Sequence, residues 1–253
     1  MHRSFRDIMY SEATVTGHCP HAAPKQIDSQ VIRDRVQKYL ETALLEDDTP
    51  ALVRDTDRVD NYGEVFTPNW FVKRMLDFMP GDPVADLDKS ALDPSCGNGQ
   101  FLTEALRRRL VTAAKIFAES LEPEQYQFDC LRGLSKLYGV DINADTATEA
   151  RSRMAKIVFK AYEAVLGSEP QHDFSRVVLY ILRTNIIVGD FLAEDFSLVE
   201  WIPYNRDAFA RKVWPMDVLT SRNAQKNPLF HDVLEPAETF SPVHWRAIVG
   251  SES

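Results

Sequence analysis

Three short apolar runs, each leading into an aspartate, constrain this chain more than any other feature. They are Ala91-Leu92-Asp93, Leu137-Tyr-Gly-Val-Asp-Ile142 with its aspartate at 141, and Ile186-Ile-Val188 followed by Gly189-Asp190. The aspartates stand 48 and 49 residues apart, and helical spacing fills both intervals. Short buried strands alternating with long amphipathic helices predict a parallel sheet with right-handed crossovers. In such sheets ligands lie beyond the carboxyl ends of the strands, so Asp93, Asp141 and Asp190 are expected to share one edge.

The rest of the chain is organised around that frame. Residues 1–26 have no period and read as a flexible arm. An N-terminal helix and linker fill 27–60, with Val31, Ile32, Val36, Tyr39, Leu40 and Leu44 as the apolar face. A core follows over 61–204, and 205–253 forms a C-terminal extension of unassigned structure. Within the core, Thr67 is expected to cap a helix that begins at Pro68 and ends before Pro80-Gly81. Long helices are predicted from Gly99 to Leu121, Glu124 to Leu134 and Ala144 to Leu166, and a shorter one over Phe174 to Leu182. After Asp190 the alternation weakens; Trp201-Ile-Pro-Tyr204 and Trp245-Arg-Ala-Ile-Val249 are the remaining strand candidates.

The three acidic ends suit a nucleoside that carries an amino acid. Gly97 and Gly99 allow the backbone to approach a ligand closely and turn into the next helix. Asp93 can offset an ammonium group. Asp141 can accept from both ribose hydroxyls, and Asp190 from the adenine amine, with Ile142 and Phe191 against the ring. A dinucleotide site fits worse, because Gly-x-Gly-x-x-Gly is missing and the Asp93 carboxylate would repel a pyrophosphate.

Four segments resemble a known family. Gly63-Glu-Val-Phe-Thr-Pro68, Asp93-Pro-Ser-Cys-Gly-Asn-Gly-Gln-Phe-Leu102, Gly139-Val-Asp-Ile-Asn143 and Gly189-Asp-Phe191 look like motifs X, I, II and III of amino-methylating DNA methyltransferases. The order matches the adenine-N6 enzymes of restriction-modification and phage systems. The resemblance implies a Rossmann-like S-adenosylmethionine-dependent methyltransferase fold, α/β with a parallel-rich sheet flanked by helices, and the expectation is that it is truncated after the fourth strand. It implies that Phe66, Thr67 and Pro68 close over the methionine end of S-adenosylmethionine. Asp93, Pro94, Cys96, Gly97, Gly99 and Phe101, then Asp141 with Ile142 and Asp190 with Phe191, would line the rest of the cofactor pocket.

The same resemblance places acceptor chemistry in an Asn-Pro-Pro-Tyr motif after the fourth strand. There the Asn oxygen and a proline carbonyl accept from the target amine, and the aromatic ring stacks on a flipped base. In the expected register Trp201 occupies the Asn place, Ile202 replaces the first proline, and Pro203 and Tyr204 remain. An indole donates and cannot accept from an amine. A second register, Asn227-Pro228-Leu-Phe230, keeps the amide, one proline and an aromatic.

Composition bears on partners. The net charge is −9, from 38 acidic and 29 basic residues, which counts against a solitary grip on duplex DNA. A protein partner subunit gains weight accordingly. Arg107-Arg108-Arg109 reads as a solvated helix face, and Asn205 to Trp214, with Arg206, Arg211 and Lys212, as the better nucleic-acid candidate. His18, Cys19 and His21 crowd into four residues with no second ligand pair, so no metal is expected; three cysteines make no disulfide framework. No apolar run reaches eighteen residues and no apolar leader opens the chain, so a cytoplasmic protein without a membrane contact is expected. Three functions follow as expectations: methylation of DNA at adenine N6; a catalytically impaired homologue that binds the cofactor as a partner subunit or anti-restriction factor; and methylation of another acceptor, such as a modified base, RNA or protein.

Overall fold

A computed structural model describes residues 28–45, 67–220 and 235–250. The expected arm, the linker, Phe66 and the Asn227-Pro228-Leu-Phe230 segment lie outside the described residues.

Helix α1 (Ser29–Thr42) starts at Asp28, whose carboxylate accepts from the Gln30 N–H at 2.9 Å. Its Val36 is buried, and Arg35 donates to the Leu166 carbonyl at 3.1 Å, tying α1 to the end of a helix far along the chain. Helix α2 (Asn69–Asp77) departs from expectation at its start. Pro68 is itself the cap residue, with ψ at 142°, and its carbonyl accepts from the Phe71 and Val72 amides. Thr67 stands one residue outside and supplies no cap. The extended ψ of Pro68 keeps it out of the helix, so the polar side chain before it is one position too early.

Strands β1 (Ala91–Asp93), β2 (Leu137–Asp141) and β3 (Ile186–Val188) form a parallel sheet in that spatial order. Between them run α3 (Gln100–Ser120), α4 (Pro123–Ser135), α5 (Ala144–Leu166) and α6 (His172–Asn185), close to their expected bounds. Asn143 caps α5 by accepting from the Asp145 N–H, and Gly167 ends it at φ +72°. The core packs between α3, α5 and the sheet: Leu106, Ala113, Ala147, Met154, Val158, Val140 and Leu137 are all buried. The protein is therefore mixed α/β, with a three-stranded parallel sheet flanked by helices.

The fourth strand corrects the sequence reading. Strand β4 (Ser197–Tyr204) joins β5 (Ala208–Pro215) and β6 (Glu238–His244) in a separate antiparallel sheet. It also runs the opposite way to β1–β3. Its start lies at the carboxyl edge, where a Cβ on Gly189 would come within 3.3 Å of the Phe196 ring. Its far part lies at the amino ends, where Trp201 Nε1 donates to Asn185 Oδ1 at 2.8 Å and Lys136 Nζ donates to the Trp201 carbonyl. The expected boundary between Tyr204 and Asn205 falls inside the β4–β5 hairpin, whose turn takes Asn205 into the left-handed region at φ +55°. Residues Trp245–Gly250 form a 3-10 helix in place of the expected strand, with Trp245 and Ile248 buried. A short helix, α7 (Met216–Thr220), follows β5.

Candidate functional site

The carboxyl edge is built as a rising flight. Asp93 pairs with Gly139, two residues short of Asp141; Asp141 pairs with Val188, two residues short of Asp190. Each step lifts the next carboxylate by about 7 Å along the strand direction. A ligand crossing from β1 to β3 therefore meets the acids in order along a slope.

The turn after β1 is held by the neighbouring strand. The Cys96 N–H donates to the Val140 carbonyl at 2.9 Å, and the Gly97 N–H donates to Asp141 Oδ2 at 2.8 Å. Gly97 and Gly99 adopt φ of +52° and +79°, a region that glycine enters without cost. Gly99 then caps α3, its carbonyl accepting from the Thr103 N–H. Arg153 on α5 clamps the turn from behind, donating to the Asn98 carbonyl at 2.8 Å and Gln100 Oε1 at 2.9 Å. The expected glycine turn and the expected acid on β2 are thus one hydrogen-bonded unit.

Asp141 is more heavily used than the sequence implied. Its Oδ1 accepts from the Asn143 N–H and the Thr146 hydroxyl, each at 2.8 Å, in addition to the Gly97 bond on Oδ2. A carboxylate offers about four lone-pair directions. One remains, on Oδ2, which suffices for one ribose hydroxyl without breaking an existing bond. The reading that Asp141 takes both hydroxyls is narrowed accordingly.

Asp93 is half-buried, and its carboxyl is pushed above the usual carboxylate range by burial first and by the Asp141 carboxylate; the Ser95 N–H, at 3.2 Å, acts the other way. It opens onto an apolar cavity of about 250 Å³ walled by Leu76, Met79, Val84, Pro94 and Phe101. A cation placed there would relieve the strain on its charged form. At the other end of the flight, Asp190 is exposed and accepts from the Leu192 N–H at 2.8 Å, with Phe191 half-buried beside it. Ile142, Val188 and Leu192 stand largely exposed along the same edge, where bound apolar surface would cover them.

Other expected residues fall differently. Cys96 is buried with its sulfur beneath Gly139, where an added Cβ would come within 2.9 Å of it, so only its backbone reaches the edge. Burial, then the Asp93 and Asp141 carboxylates, push its thiol up to about 12. Gly139 is required because Leu102 would meet that same Cβ at 2.7 Å; its place in the second motif is a packing requirement that one sequence could not reveal. Thr67 and Pro68 begin α2, and it is the other end of that helix, Leu76 and Met79, that meets Asp93 and Phe101. Thr146 and Arg153 went unrecognised. Thr146 could have been found three residues after the Asn143 cap; nothing local marks Arg153.

The expected acceptor residues Pro203 and Tyr204 are not brought to this edge. Because β4 runs downward, Pro203 lies at the amino end of the sheet, beside a cavity lined by Phe128, Asp129, Arg132 and Arg206, and Tyr204 is exposed in the hairpin. Trp201 is fully buried, edge-on to Tyr180 and Phe209, as a core residue. The basic candidates are corrected too. Arg107, Arg108 and Arg109 are all buried: Arg109 donates to the Val84, Lys89 and Gly133 carbonyls, and Arg108 pairs with Glu104, Asp77 and Asp82. Arg211 is buried among Phe240, Tyr180 and Trp201, with Cζ at 4.7, 5.6 and 5.8 Å from the ring centres. Arg206 is exposed but tied to Gln125 and Glu122. Among the described residues no three histidine, cysteine or acidic side chains gather as a metal ion would need, and no helix is long and apolar enough to cross a membrane.

Comparison with protein-family models, with curated proteins and with solved structures finds no match to this chain.

Proposed function

We propose that the carboxyl edge of the parallel sheet binds S-adenosylmethionine, and that the chain is the cofactor-binding part of a methyltransferase acting on DNA, at adenine N6. The observation that carries the reading is the coupling of the Gly97–Gly99 turn to Asp141, with Asp93 and Asp190 on either side. The cofactor supplies an electrophilic methyl group on its sulfonium. Asp93 would hold its ammonium beside the apolar cavity, Asp141 one ribose hydroxyl, and Asp190 the adenine amine, with Ile142 and Phe191 against the ring. The four motif resemblances support the same assignment and are the ground for DNA as acceptor.

One observation favours a second reading, a cofactor-binding homologue without turnover that works as a partner subunit or anti-restriction factor. The reversed β4 carries Pro203 and Tyr204 to the far end of the sheet. The net charge of −9 weighs the same way, and burial removes Arg107, Arg108, Arg109 and Arg211 as contacts for DNA phosphates.

Calorimetric titration with S-adenosylhomocysteine tests the shared part. Binding in the micromolar range or tighter, lost in Asp190→Ala, is expected. A flat titration of folded protein would overturn both readings. Transfer of tritiated methyl to unmethylated DNA by the isolated chain then separates them: incorporation supports the enzyme, and binding without incorporation supports the homologue.

A further inference from the structure

Helix α2 is apolar on two sides. Val72 and Leu76 are buried against the core, yet Trp70, Phe71, Met75 and Phe78 remain 65, 43, 42 and 74% exposed on the outside. Met79, 42% exposed, carries this surface to the apolar cavity beside β1. There, among the described residues, the sheet has an open edge. The Ala91 N–H reaches the Lys136 carbonyl, and parallel pairing turns alternate residues to opposite sides. Leu92 therefore points its N–H and carbonyl away from β2, and its side chain is 41% exposed. Open edges and contiguous apolar patches are normally covered in soluble proteins.

We propose that this face is the interface between two copies of the chain, with β1 pairing antiparallel to β1 of the second copy about a two-fold axis at Leu92. The hydrogen-bond pattern selects this occupant. In an antiparallel ladder two opposed residues exchange both N–H···O bonds. A three-residue edge with a single outward-facing residue satisfies itself fully against its own copy. A parallel strand would instead have to offer its N–H and carbonyl from two separate residues. The area also agrees. At about 200 Å² per large side chain, the six exposed residues supply roughly 600 Å² per protomer, near the ~800 Å² of a standard interface. The product is one six-stranded sheet, ordered β3-β2-β1-β1-β2-β3, whose two acidic edges face opposite ways.

Sedimentation equilibrium of the full chain provides the test, with two substitutions at exposed positions. Leu92→Pro removes the outward N–H together with part of the exposed side chain, a change that an edge strand tolerates, and Phe78→Asp charges the apolar face. The wild type is expected to be a dimer, and each variant to raise the dissociation constant at least about tenfold while circular dichroism stays unchanged. Exchange of the Leu92 amide should slow with protein concentration in the wild type and not in Phe78→Asp. A wild type still monomeric at about 100 µM, even if it binds another protein there, overturns the proposal, as does a dimer indifferent to both substitutions.

Discussion

Replacing Asp141 by asparagine exchanges one oxygen for an amide nitrogen and leaves the shape of the side chain intact. The carboxylate now takes three donors, from Gly97 on one oxygen and from Asn143 and Thr146 on the other. An asparagine has a single acceptor oxygen. Facing it toward Asn143 and Thr146 saves two bonds and sets its NH2 against the Gly97 N–H, donor against donor. The opposite orientation saves one bond and loses two, so the first should win. The loss is then one charge-assisted bond, normally about 1.5–3 kcal/mol. Asp141 is only half-buried, and water can replace part of the contact. About 1–2 kcal/mol of stability should therefore disappear in urea unfolding, with an unchanged denaturant slope. Amide exchange should accelerate at Gly97 and stay slow at Asn143. Because the free lone pair of Asp141 lies on the same oxygen, S-adenosylhomocysteine should bind roughly ten- to a hundredfold more weakly. A variant within about 0.3 kcal/mol of wild type, with Gly97 exchange unaltered, would refute the coupling of turn and acid.

Three further outcomes follow from the geometry. Trp201→Ala should cost about 3–5 kcal/mol, read by urea unfolding, because it empties the space between Tyr180 and Phe209 and frees the Asn185 amide; below the unfolding range its affinity for S-adenosylhomocysteine should match wild type, and a selective loss of affinity would place Trp201 at the site after all. Cys96, with a thiol raised to about 12, should react with iodoacetamide at pH 8 about a thousandfold slower than in urea, and mass spectrometry finding equal rates would contradict its burial. Asp93 has a carboxyl pKa raised in the folded chain, so its charged form is the unfavourable one; the penalty is complete above that raised pKa, declines as pH falls through it, and vanishes below the ordinary carboxylate value of the unfolded chain. Asp93→Asn without ligand should thus be the more stable protein at neutral pH, the advantage fading as pH falls, while S-adenosylhomocysteine affinity drops with falling pH in wild type and stays flat in Asp93→Asn; the reverse pattern in thermal melts and titrations would remove Asp93 from the ammonium site.

The sequence by itself determined the elements that depend on local pattern. Apolar runs leading into Asp93, Asp141 and Asp190 became three parallel strands, and the long helices between them began and ended within a few residues of their caps and breakers. The glycine turn could be placed because positive φ restricts residue type so sharply at Gly97 and Gly99. Decisions made at long range were different. Arg107, Arg108 and Arg109 read as a wetted face, since nothing nearby in the chain announces the carbonyls of Val84, Lys89 and Gly133 or the carboxylates of Asp77 and Asp82 that receive two of them. Trp201 looked like a substituted catalytic residue until Asn185 and Lys136 were seen to fix β4 at the wrong end of the sheet. Strand direction is set by which side chains find partners across the core, and a period-two pattern reads the same both ways. The edge that gathers Asp93, Asp141 and Asp190 is therefore legible in the residues themselves, whereas the placement of Pro203 and Tyr204 was decided only by tertiary packing.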